Sequence, residues 1–129
     1  MKTYTAATVD PVEVCDELMN GAGAVKVKGL FSDADINEAR QIIMEYSDAD
    51  AVKVTHFQGA AAEEGKINLQ RRVWNLLAKG DVFSRMAEEP TIMKILSRFL
   101  GSEFIMGSSA ANRILPGGPG QEPHVDFPY

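Results

Sequence analysis

The sequence predicts an α+β domain, with helices first and strands after them, and two patterns carry that prediction. Up to Gly101, apolar residues recur mostly at helical spacing, in runs opened by capping residues and closed by glycine. After Gly101, alternation at period two takes over, cut by the turn-rich Pro116-Gly117-Gly118-Pro119-Gly120. The 129 residues suit one domain with a core of its own and are too few for two. Residues 1–101 form its mainly helical region and 102–129 its strand-forming region.

Asp10-Pro11 reads as a helix start, a capping carboxylate followed by proline at the first helical position. Val14 and Leu18 give that helix its apolar side, and Asn20-Gly21-Ala22-Gly23 ends it. Residues 24–29 alternate apolar and basic, the pattern of a short half-buried strand. Ser32 caps the next helix, with Asp35 three positions on as a variant capping box. Ile36, Ala39, Ile43 and Met44 form its stripe.

From Ser47 to Lys66 small and acidic residues predict a surface loop around one strand, Val52 to Thr55. Val73, Trp74, Leu76 and Leu77 predict a helix whose side chains enter the core, ending at Lys79-Gly80. Asp81 caps a short helix, and Pro90-Thr91 opens another that carries Ile92, Ile95, Leu96 and Phe99 up to Gly101. Ser102–Met106 and Ser108–Leu115 then read as strands, with Ala110, Asn112 and Ile114 at period two.

The net charge of -5 argues against a nucleic-acid partner, which needs clustered Lys and Arg. Arg71-Arg72 is the one adjacent basic pair, and it reads as a solvated helix face or a contact to one anionic substrate group. A single cysteine, Cys15, excludes an internal disulfide and is expected to be a small buried hydrophobe. No apolar run approaches the roughly 20 residues that cross a bilayer, and the N-terminal residues lack a secretory core. The expected location is the cytoplasm, away from membranes.

His124-Val125-Asp126 carries the chemistry. On a strand, residues two apart share a face and lie roughly 6.6 Å apart. An imidazole and a carboxylate so placed converge on one cation, and a second histidine completes a two-His-one-carboxylate site for Fe(II) with open positions. The same tripeptide also suits a strand end whose His and Asp hydrogen-bond to neighbours. Asp33, Asp35 and Glu38 lack the glycine and spacing of a calcium loop and suit a helix N-terminus. Gly117 to Gly120 lacks the Lys-Ser/Thr of a phosphate cradle.

Residues 108–115, the loop 116–120 and Gln121-Glu122-Pro123-His124-Val125-Asp126 resemble the phytanoyl-CoA dioxygenase family. In that family a strand with a polar inward residue leads through a proline-glycine loop into a His-x-Asp iron motif. Residues 23–32, 72–77 and 99–104 resemble its earlier segments, so the likeness spans nearly the whole chain. It implies a double-stranded β-helix, or jelly roll, with helices packed outside. It also implies Fe(II) and 2-oxoglutarate as cofactors, with oxidative decarboxylation of 2-oxoglutarate coupled to hydroxylation of a small organic molecule. His124 and Asp126 carry over as iron ligands and Asn112 as a polar contact to the cosubstrate; Asn112 serves equally well as a residue closing a local backbone bond.

The family's second iron-binding histidine and its basic anchor for 2-oxoglutarate lie well downstream of this motif, and the sequence ends three residues after Asp126. The other histidine, His56, sits in the loop-rich stretch and suits a surface role. A jelly roll needs about eight strands, so a truncated domain is expected, inactive alone and open to self-association through exposed strand edges. Two other classes stay open: a non-catalytic binding or partner module with a vestigial metal motif, and a cupin-like isomerase or metal hydrolase.

Overall fold

A computed structural model of the chain describes residues 1–49 and 69–118. The expected strand 52–55, His56, and the segment holding His124 and Asp126 lie outside the described residues. The described chain is mixed helix and strand: β1 (Lys2–Thr5), α1 (Pro11–Asn20), β2 (Val25–Lys28), α2 (Asp33–Ala49), β3 (Gln70–Trp74), α3 (Asp81–Ala87), α4 (Pro90–Leu100) and β4 (Ala110–Ile114). It divides into two compact units, residues 1–42 with 75–109 and residues 43–74 with 110–129.

In the first unit, β1 and β2 pair in parallel, Lys2 opposite Val25 and Thr5 opposite Lys28. A parallel pair needs a crossover, and α1 supplies it. The Asp10 carboxylate accepts from the Val12 N–H at 2.9 Å with Pro11 at the first helical position, as the sequence predicts. Val14 is wholly buried. One turn on, Glu17 is also buried, its charge met by the Lys2 ammonium at 2.9 Å and the Ala22 N–H at 3.2 Å. β1 carries no periodicity long enough to announce itself, and the sequence gives no notice of it.

The Ser32 hydroxyl caps α2 by accepting from the Asp35 N–H at 3.1 Å, and it donates to the Asp35 carboxylate at 2.6 Å. Arg85 of α3 reaches Asp35 at 2.9 Å and Glu38 at 2.8 Å, tying the start of α2 to α3. The Ser32 hydroxyl first, and Arg85 after it, hold the Asp35 carboxyl below the usual carboxylate range. The buried side of α2 is rotated from the expected stripe: Ala39 and Ser47 are buried, while Ile36 and Met44 are each 39% exposed. Asp81 is the first residue of α3, whose cap is Gly80.

Glu89, just before Pro90, caps α4 by accepting from the Ile92 N–H at 2.8 Å. Gly101 leaves α4 at φ 93°, a conformation that costs a residue with a Cβ. α4 packs along α1, where the Cys15 thiol faces the Ile95 carbonyl at 3.9 Å. Cys15 is half-buried, less enclosed than expected. Residues 101–109 form no strand, so the alternation of Ser102–Met106 goes unused among the described residues.

The second unit corrects a further expectation. Residues 70–74 form a strand, not a helix, and pair antiparallel with β4. A short apolar run does not separate helix from buried strand by itself. Here β-branched Val73 favours the strand, and Asn75, left-handed at φ 53°, breaks the chain into the 3-10 turn Leu76–Ala78 of the first unit. Val73 and Leu76 of the expected core group are buried; Trp74 is 48% exposed and Leu77 is also exposed. After β4 the Pro116-Gly117 turn forms as expected, Gly117 at φ 83° and the Gly118 N–H donating to Leu115 O at 2.9 Å. No described helix is long and apolar enough to cross a membrane.

Candidate functional site

In an antiparallel pair, directly opposite residues project to the same face. The β3–β4 register sets Gln70 against Ile114, Arg72 against Asn112 and Trp74 against Ala110 on one face. Arg71 against Arg113 and Val73 against Ala111 occupy the other. Adjacent arginines on a strand therefore serve opposite faces, a division that the helical reading of Arg71-Arg72 does not anticipate.

The second face is fastened to the end of α2. Val73 is buried there, and the Arg113 guanidinium donates to the buried Ser47 hydroxyl at 2.9 Å and to the Asp48 carboxylate at 2.8 Å. Arg71 pairs with the same carboxylate. Two guanidiniums directly opposite each other repel. Asp48, together with the negative carbonyl end of α2, offsets that repulsion. The Ser47 hydroxyl in turn donates to Met44 O at 3.0 Å, so the buried polar group is satisfied.

With that side fixed, Trp74, Ala110, Asn112 and Ile114 of the first face are exposed, while Gln70 at its end is buried. The Arg72 guanidinium lies over the Trp74 ring, 4.7 Å from its centroid. Such stacking holds the guanidinium in a defined plane. Asn112 is exposed directly across the strand pair, and Ile114 flanks it. The face thus groups a cation stacked on an indole, an amide with donors and an acceptor, and an apolar border. That combination suits a carboxylate attached to a small organic body.

Of the three residues singled out from the sequence, Asn112 is the one the structure describes; His124 and Asp126 lie outside the described residues. Both histidines of the chain do so, and among the described residues no group of three or more His, Cys, Asp or Glu side chains is placed to hold a metal. The structure brings Arg72 and Trp74 beside Asn112, a grouping the sequence reading missed. The available signal was the Val-Trp step after Arg72, which suits a strand and sends neighbours to alternate faces.

Compared with known proteins, the chain matches no family model, no curated protein and no solved structure.

Proposed function

We propose that these residues are the N-terminal part of a non-haem Fe(II)/2-oxoglutarate-dependent oxygenase that hydroxylates a small organic molecule in the cytoplasm. His124 and Asp126 are two ligands of its facial triad, and a histidine outside these 129 residues is the third. The β3–β4 pair is the first strand pair of its jelly roll. Iron, when bound, supplies the oxygen chemistry; the residues described here bind and orient.

One observation carries the reading. Asn112 is exposed directly opposite Arg72, on the strand whose sequence continues through residues 116–120 to His124 and Asp126. Arg72 receives a carboxylate oxygen through charge-assisted hydrogen bonds, and Asn112 donates to its neighbour. Trp74 fixes the Arg72 plane and screens that contact from water.

The test is visible absorption of the Co(II)-loaded protein during titration with 2-oxoglutarate. The expected result is a saturable change of the Co(II) bands, reproduced weakly or not at all by succinate, which lacks the keto oxygen needed to chelate. Bands unmoved by 2-oxoglutarate contradict the reading.

A further inference from the structure

The first unit contains a cavity of about 390 Å³, within the size range of small-molecule sites. Its long wall is α4. Met93, Leu96 and Leu100 stand at helical spacing along one stripe and line it, while α1 covers α4 elsewhere. α4 therefore has more apolar surface than its helical neighbour takes up, and none of its residues is fully buried. Phe104, Ile105 and Met106 close another side, and Ile105 is 92% exposed. Met93 and Met106 are unbranched and adapt their shape to what enters.

Polarity at the rim selects among apolar ligands. Ser84 and Glu88, at the end of α3, are its polar side chains, and no lysine or arginine is among the described residues that line it. The carbonyl end of α3 adds negative potential at the same place. An anionic amphiphile meets repulsion there, whereas an ammonium meets an acceptor hydroxyl and a carboxylate.

We infer that this cavity binds a small apolar molecule carrying a protonated amine. The site stands apart from the iron reading and does not depend on it.

The experiment is a fluorescence-anisotropy titration of the 129-residue protein, in EDTA, with 1-naphthylmethylamine and with 1-naphthoate, a pair of similar bulk and opposite charge. The amine is expected to bind saturably at one site, about fivefold tighter than the carboxylate, the size of preference an exposed carboxylate can impose. Glu88→Gln brings the two ligands to within about twofold of each other. Ala87→Trp fills the cavity and removes binding of both while the far-UV circular dichroism stays that of wild type. Equal affinities in wild type, a preference that survives Glu88→Gln, or amine binding undiminished in a folded Ala87→Trp protein each overturn the inference. Glu88 is exposed, so its variant keeps the test decisive even if Ala87→Trp does not fold.

Discussion

Asn112 lies directly opposite Arg72 across the β3–β4 pair, on the face that turns away from α2. The two differ in what else they do. Asn112 is exposed and hydrogen-bonds to no described side chain in its strand pair, whereas Arg72 also stacks on Trp74. Asn112→Ala is expected to change stability by less than about 0.5 kcal/mol in urea denaturation. It should weaken 2-oxoglutarate binding to the Co(II)-loaded protein about tenfold, the worth of one hydrogen bond to a charged group. Arg72→Ala should weaken it further and also cost about 0.5–1 kcal/mol of stability through the lost stacking. Unchanged 2-oxoglutarate affinity in both variants removes the face from the cosubstrate site.

Arg113 performs the opposite duty on the other face. Removing it takes a charged donor from Ser47 and Asp48 and leaves Arg71 as the described partner of that carboxylate. Arg113→Ala should destabilise the protein by about 1–2 kcal/mol. Arg113→Lys should recover only part of this, since an ammonium lacks the planar fork that reaches two acceptors. Full recovery by lysine would show that charge alone matters at this position.

Acid should loosen the first unit. The Lys2 ammonium, and after it the Ala22 N–H, hold the Glu17 carboxyl below its ordinary value near 4.5. A carboxyl whose folded value is depressed contributes its stabilisation in full above the unfolded value and loses it as pH falls through the folded one. The Lys2 ammonium, raised by the same pair, behaves in mirror image: its contribution is present below 10.5 and fades as pH rises through its folded value. Asp35 adds to the acid limb in the same sense as Glu17. Urea midpoints measured between about pH 3 and 6 should fall as pH falls, and Glu17→Gln should flatten that slope. An unaltered slope in the variant contradicts the role given to the pair.

These elements also mark what the sequence makes legible. The caps at Asp10 and Ser32 are closed by groups within a few residues, and Gly101 leaves its helix by a positive φ, so local chemistry is enough to read them. Glu89 is as local a cap, though Pro90-Thr91 marks the helix start without it. β1 and β3 exist because of distant partners, Val25–Lys28 and Ala110–Ile114, and neither register is written in either segment alone. Residues 102–106 show the converse: alternation without a partner among the described residues makes no strand. For the site, period two was enough to put Asn112 on a face with Ala110 and Ile114. It did not reveal Arg72 as the neighbour, because that depends on the cross-strand register. His124 and Asp126 were found by residue type and spacing, and the described residues add nothing to them.

Turnover separates binding from catalysis. With Fe(II), ascorbate and 2-oxoglutarate, the 129-residue chain should release succinate at little above background, because two protein ligands hold iron poorly and leave its geometry unfixed. Robust release by this chain contradicts the view that the third ligand lies outside it.

The central claim is that His124 and Asp126 bind metal, and a Co(II) titration of wild type against His124→Ala tests it most directly. The proposal predicts weak, saturable binding in wild type and a loss of at least about tenfold in the variant, no less than even outer-shell changes cost a metal site. Asp126→Ala should match it, while His56→Ala stays at the wild-type value. Equal Co(II) affinity in wild type and His124→Ala would contradict the account, leaving His124 no part in metal binding.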